Sequence, residues 1–396
     1  MKTIREWKKS IYSMVVLCAV LIVTAAETVH AEELPLYARS SLLMDASNGR
    51  VLYEENGYKV MPMASTTKIM TCILALEWLE ECTEEEHSAP VVISQYAARM
   101  PKVRLGMQAG EEYDLEDLLY SLMLESHNDT AVAIAEHIDG SVEAFAKRMN
   151  EKAKMLGCSH TNFITPNGLD AEKKGKMHST TAYDLGLIAS YAIQNSRFLE
   201  IISTRSYSFS ERTKGKSFQV NNKNRFLDMM EGAIGIKTGF TGGAGYCFVG
   251  ALRQGDKTLV SVVLGSGWPP NKNWKWTDTR TLMEYGITEY ESKDLEKKYV
   301  YEPVTVADGV KDKAELVVEE KKEGELTLLL SEKDETMVKR ELQKEIRAPV
   351  QKGTVVGYEC YYVNGELYKK YKILTAESVE LRTYFYCLCQ IFMLYF

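Results

Sequence analysis

The segment Met63–Glu81, "MASTTKIMTCILALEWLEE", constrains the fold more than any other stretch. Ile69, Met70, Ile73, Leu74, Leu76 and Leu79 recur at helical spacing and leave almost no polar face, so the pattern predicts a helix opened by Ser65 and enclosed in a domain core. Lys68 lies one turn inside it. A lysine there is costly unless its charge is paired or used. Positions i and i+3 share a helix face, which brings the Lys68 amine within reach of the Ser65 hydroxyl. An amine desolvated in a core has a lowered pKa, and the neutral form can accept a serine proton. A serine at the helix N-terminus also turns its backbone N–H toward a developing oxyanion. About one S-x-x-K is expected by chance in a chain of this size. On its own the pattern therefore leaves open a capping serine beside a snorkelling lysine.

A chain of 396 residues is long enough for two domains, and 45% apolar with 26% charged residues is ordinary globular composition. Residues 1–31 differ: Lys2, Arg5, Lys8 and Lys9 precede an apolar run from Ile11 to Ala26, and Val29-His30-Ala31 has the form of a cleavage site. A signal peptide cut after Ala31 is expected, with an uncleaved anchor as the alternative. These residues carry four positive and two negative charges, so their removal takes the formal charge from −7 to −9. Such acidity argues against nucleic acid as a partner. Seven cysteines remain at irregular spacings and show no disulfide framework. No H-e-x-x-H or C-x-x-C pattern suggests a metal, and no cofactor is expected.

Asn48-Gly49 between alternating runs predicts a hairpin ahead of the Ser65 helix. Helical patterning runs from Leu115 to about Leu156 and again from Thr180; two β-rich runs cover Gly245–Ser266, and a helix follows from Thr277 to about Tyr290. Strands at both ends with helices between them predict one α+β domain, residues 32–292, whose antiparallel sheet gathers the two ends. A small all-β module is expected at 296–376, as a spacer or contact domain. Residues 377–396 end in an aromatic run too short to cross a bilayer, which predicts an amphipathic tail lying on a membrane surface. A terminal helix packed on the β module is the alternative.

Two further motifs accompany Ser65-Thr66-Thr67-Lys68. Ser126-His127-Asn128 lies 61 residues downstream and Lys237-Thr238-Gly239 another 111 beyond it, each pattern occurring once. In this order and spacing they resemble the signature of penicillin-binding proteins and serine β-lactamases. The likeness is greatest to the low-molecular-mass D-alanyl-D-alanine carboxypeptidases, through "SLLMDASNGRVLYEENG", "NFITPNGLD", "HSTTAYDLGLIA" and "GIKTGFTGGAGYCFVGA". One departure is His127, where that family has a small residue.

The resemblance implies a transpeptidase-like catalytic domain, export to the outer face of the cytoplasmic membrane or the cell wall, and peptidoglycan stem peptides ending in D-Ala-D-Ala as substrate. β-Lactam antibiotics would be covalent inhibitors. It implies Ser65 as nucleophile, Lys68 as its base and Ser126 as proton relay. Asn128 would bind the substrate backbone, while Lys237 and Thr238 would hold the terminal carboxylate. The N–H groups of Ser65 and of Phe240, after Gly239, would form the oxyanion hole, and Lys275 is the expected basic residue beyond the last strand. Two other activities stay open. A β-lactamase is disfavoured by the lack of E-x-x-L-N between Asn128 and Lys237; a penicillin-binding sensor without turnover would carry the same motifs.

Overall fold

The computed structural model describes residues 33–395, with Tyr37 onward as one contiguous unit; the expected signal peptide lies outside the described residues. Strands β1 (Ser40–Asp45) and β2 (Arg50–Glu55) form the expected hairpin, with Gly49 at φ +78 in its turn. The chain then enters a short 3₁₀ turn, Ala64–Thr67, which leads into helix α1 (Lys68–Glu81). Every residue of α1 from Lys68 to Leu76 is buried, as its all-round apolar sequence requires.

The helical pattern after Leu115 is broken into pieces. Leu115–Tyr120 passes into a π-helical turn, Ser121–Glu125, which ends at Ser126 in the left-handed conformation. Helices α2 (Asn128–Asp139) and α3 (Val142–Met155) follow, separated by Gly140 at φ +71. Helix α4 (Ala182–Ala192) is capped by the Thr181 side chain, which accepts the Asp184 N–H. Strands β3 (Ala233–Thr241), β4 (Gly245–Gln254) and β5 (Lys257–Leu264) complete an antiparallel sheet in the order β2-β1-β5-β4-β3. The two ends of the domain thus meet at the β1–β5 pair. Helix α5 (Trp274–Glu289) packs on that sheet and starts three residues earlier than its apolar pattern suggests.

The all-β module begins with β6 (Glu291–Asp294), ahead of the expected start at 296. Its sequence, Glu-Ser-Lys-Asp, has no strand-like pattern; pairing with β7 (Thr327–Leu330) defines it. Strands β8 (Thr336–Leu342), β9 (Val355–Val363) and β10 (Glu366–Thr375) form, with Leu316–Val318, the module's main sheet. Arg50 of β2 ties the two parts together. Its guanidinium meets Asp334 at 2.5 Å and also donates to the Leu329 carbonyl, while the Tyr290 hydroxyl donates to the Leu52 carbonyl.

The tail does not start at 377. Val379 bridges Val350, is 1% exposed and belongs to an apolar cluster with Val304 and Val306, and Leu381 bridges Gly309. Only then does helix α6 (Tyr384–Tyr395) begin. It leaves Tyr384, Phe385, Leu388, Ile391, Phe392 and Met393 exposed, unlike a helix packed on the module. No helix among the described residues is long and apolar enough to cross a membrane. A chain ending at Thr383 is expected to melt as the parent does. One ending at Ala376 loses the buried Val379 and about 1.5–3 kcal/mol with it, a difference that calorimetry of the two truncations will measure.

Candidate active site

Three elements converge on Ser65: its own 3₁₀ turn, the break between the π turn and α2, and strand β3. The turn is set by Ala64, held at φ +49, a left-handed value uncommon for a residue with a Cβ. Thr66 and Thr67 stiffen it by donating their hydroxyls to the carbonyls of Met63 and Ala64. Lys68, the first residue of α1, is fully buried and its Nζ has three oxygen neighbours. They are Ser65 Oγ at 2.9 Å, Asn128 Oδ1 at 2.9 Å and the main-chain carbonyl of Asn167 at 2.6 Å.

The last two oxygens can only accept. A neutral amine has two N–H bonds for them and one lone pair left, which then faces the Ser65 hydroxyl. Burial is the main force holding Lys68 well below the ordinary lysine value; the charge of Lys237 adds to it and Asp129 opposes it. Burial therefore favours the neutral amine, and in that form the three-oxygen cage leaves a lone pair free to take a proton from serine.

Ser126 sits at φ +70, with its hydroxyl buried and without a hydrogen-bond partner among the described residues. A strained residue with an orphaned hydroxyl marks a site that binding completes. Asn128 spends Oδ1 on Lys68, and its Nδ2 donates to the Pro101 carbonyl at 3.2 Å. One N–H of that amide is left for a substrate. His127 points elsewhere: it is 5% exposed, with Nδ1 2.8 Å from the Ser121 hydroxyl. Burial lowers its pKa, so the 3.6 Å approach to Glu125 is a contact of a neutral ring.

Strand β3 carries Lys237, Thr238, Gly239 and Phe240. Lys237 is buried, donates among the described residues to the Thr238 carbonyl alone, and is pushed down to about 7 by desolvation. A cation with no carboxylate of its own is a ready anion site. Gly239 permits the approach of β3 to the nucleophile, because a Cβ there would lie 2.9 Å from the Ser65 nitrogen. Phe240 is 42% exposed and its ring tilts against Tyr246. Lys275 stands behind that pair. Its ammonium donates to the Lys272 carbonyl at 2.5 Å and lies over the Tyr246 and Trp276 rings, and burial moves it down to about 8.

The site also uses a segment to which sequence reasoning assigned no role, residues 162–170. Its Asn167 carbonyl is the closest partner of Lys68, and Asp170 accepts from Thr241 Oγ1 at 2.9 Å, joining the segment to the end of β3. The one legible signal was the Pro166-Asn167-Gly168 turn pattern. Gly168, at φ +82, lies so close that a Cβ would fall 2.0 Å from the Ala64 carbonyl oxygen. Gly168→Ala is accordingly expected to cost at least ~1–2 kcal/mol from the left-handed backbone alone and to push the segment off Lys68. Thermal melting should fall and the acylation rate of Ser65 should fall with it.

Comparison with known proteins places this geometry. The D-alanyl-D-alanine carboxypeptidase family model matches residues 25–267, and that for the C-terminal domain of penicillin-binding protein 5 matches residues 290–381. The D-alanyl-D-alanine carboxypeptidase DacF of Bacillus subtilis is 32% identical over 88% of this chain and 87% of its own length. Among solved structures, penicillin-binding protein 5 of Haemophilus influenzae has a TM-score of 0.70 at 24% identity, covering 88% of this chain and 99% of that one. Penicillin-binding protein D2 of Listeria monocytogenes, in its ampicillin-bound form, has a TM-score of 0.56 at 33% identity, over 65% of this chain and all of that one.

Proposed function

The chain belongs to the D-alanyl-D-alanine carboxypeptidase family of serine hydrolases, and we propose that Ser65 is its nucleophile and Lys68 the base that activates it. One observation carries this reading: the Lys68 amine lies 2.9 Å from the Ser65 hydroxyl in full burial, which drives it toward the neutral form, and its two N–H bonds then go to obligate acceptors so that its lone pair faces the serine. The neutral amine takes the Ser65 proton as Oγ adds to the carbonyl carbon of the penultimate D-alanine. The N–H groups of Ser65 and Phe240 receive the oxyanion. Ser126, otherwise unpartnered, passes the proton from Lys68 to the nitrogen of the departing D-alanine. Water then attacks the Ser65 ester, giving its proton to Lys68 and returning the serine.

Asn128 offers its remaining N–H to the substrate backbone. Lys237 and Thr238 take the terminal carboxylate, whose arrival raises the Lys237 pKa again and secures its charge. Lys275 backs the Phe240–Tyr246 pair, and would reach the carboxylate only by releasing the Lys272 carbonyl. Penicillin, a strained amide bearing a carboxylate, should acylate Ser65 and stay. Mass spectrometry of the protein with penicillin, and separately with a D-Ala-D-Ala tripeptide, tests the assignment. An adduct on Ser65 with peptide turnover is expected; fast loss of penicillin would indicate a β-lactamase, and no peptide turnover a sensor.

Lys68→Ala should cost roughly 4 kcal/mol, about a thousandfold in rate. The sign of the pH dependence follows from the two lysines. Lys68 works neutral, so kcat/KM rises with pH through its depressed pKa; Lys237 works charged, so kcat/KM falls as pH passes about 7 in the free enzyme. Lys237→Arg, which stays charged, should carry the falling limb well upward in a stopped-flow profile.

The setting is an exported one in this reading. Residues 1–31 supply the leader, and helix α6 lays its aromatic residues in the membrane interface, where such rings partition well. The β module would hold the cleft above the lipid, within reach of stem peptides. Deleting residues 384–396 should release active, penicillin-binding protein into the medium. Persistence in the membrane fraction after a salt wash would assign the anchor to the leader instead.

A further inference from the structure

One buried titratable side chain has no part in the steps above. His178 is 2% exposed and stands between the segment 162–170 and the nucleophile turn. Its Nδ1 accepts the Ile164 N–H at 2.9 Å and the Thr165 N–H at 3.4 Å, so that nitrogen bears no proton. Its Nε2 lies 2.7 Å from Thr67 Oγ1, whose own proton goes to the Ala64 carbonyl. Nε2 must therefore be the donor. The two ends together demand the neutral, Nε2-protonated ring: one needs a proton on Nε2 and the other forbids one on Nδ1. An imidazolium would set an N–H against two backbone N–H groups, and burial beside Lys68 accordingly pushes His178 down to about 4.

We infer that His178 is a positioning residue for the Lys68 base: it fastens the Asn167 carbonyl to the Ser65 turn, and so aims the Lys68 lone pair at the serine. The inference rests on Lys68 being the base. The path is short. Thr165 is two residues before Asn167, and Thr67 directly precedes Lys68. The other ties on this side are the Thr71 hydroxyl, which donates to the Pro166 carbonyl at 2.6 Å, and the longer Ser65 hydroxyl contact to the Asn167 carbonyl at 3.4 Å. Without the imidazole, two loop amides lose their acceptor and Thr67 loses its donor, leaving Thr71 and the weak Ser65 contact to hold the carbonyl. A ring kept neutral and committed at both nitrogens carries no protons between substrate and solvent; it sets a distance.

The test uses the full chain with His178→Gln, which keeps a donor near Thr67 but has no acceptor at the Nδ1 position, and His178→Asn, which does the reverse. Turnover of a D-Ala-D-Ala tripeptide is followed against pH. Both variants should lose at least tenfold in kcat with KM within about threefold. Their rising limb should shift upward by half a pH unit or more, because water admitted around Lys68 returns its amine toward the ordinary value. The other charged groups acting on Lys68, Lys237 and Asp129, are unchanged, as is the nearby His127. Thr67→Val probes the same link from its far end should either His178 variant fail to fold. The Thr67→Val, His178→Gln double variant should be no slower than the worse single one. A lower melting temperature with the pH limb in place, or strictly additive losses in the double variant, would overturn the inference and leave His178 a packing residue. Absence of a Ser65 adduct in the parent protein would instead remove the assignment of Lys68 on which it stands.

Discussion

A primary amine enclosed by three oxygens is the interaction on which this structure turns. Burying an ammonium costs several kcal/mol, and among the described residues no carboxylate is in contact with Lys68 to offset it. Burial drives the group toward its neutral form, which is also the form the proposed chemistry needs. The rest of the domain follows from that choice. Helix α1 must be apolar on every side to keep water out, the sheet must cover one face of it, and the helices after Leu115 must cover the other. Two residues with a Cβ, Ala64 and Ser126, are held left-handed so that the turn and the Ser-His-Asn corner can both reach the amine. Such backbone costs of order 1–3 kcal/mol each, and it persists because the surrounding core leaves the chain no relaxed alternative.

The segment 162–170 plays for the site the part that a keystone plays in an arch. It touches two of the three converging elements and helix α1 besides: the nucleophile turn where Gly168 lies against Ala64, the end of β3 through Asp170, and α1 through Lys68 and Thr71. On the segment's own side these contacts use the main-chain carbonyls of Pro166 and Asn167 and the Asp170 carboxylate, none of which a motif would flag. Gly168 is required because the segment lies against the Ala64 carbonyl with no room for a Cβ. A loop can have this precision because its backbone groups are paired to side chains fixed on helices and strands.

How much of this the sequence disclosed depends on whether the determining interaction was local. The Ser65–Lys68 pairing was legible because i,i+3 geometry is intrinsic to a helix, and the β1–β2 hairpin because Asn48-Gly49 selects its turn. The order of the three motifs pointed to the chemistry, and the family comparisons agree. The Asn167 carbonyl was hidden because a main-chain acceptor has no side-chain signature, and His178 because a lone histidine in a polar stretch carries no pattern. The motif disclosed Ser126 but not its left-handed geometry at the end of a π turn, which comes from packing that propensity cannot foresee. Strand β6 and the bridge at Val379 were missed for one reason: each is a short pairing whose partner lies tens of residues away, at β7 and Val350.

The strand order β2-β1-β5-β4-β3 has one more consequence. Strand β3 has a sheet partner on one side only, so among the described residues the edge that bears Lys237-Thr238-Gly239 is open. At the opposite edge, Arg50 of β2 is engaged by the β module. An open edge is a template: its free N–H and C=O groups will pair with any extended backbone that fits. A substrate peptide is one such backbone, and a strand from an unfolded or neighbouring chain is another. With Lys237 and Thr238 in the substrate-binding role proposed above, sealing this edge against self-association would also seal it against the substrate. What crowds β3 is the Ser65 turn, pressed so close to Gly239 that a Cβ there would lie 2.9 Å from the Ser65 nitrogen.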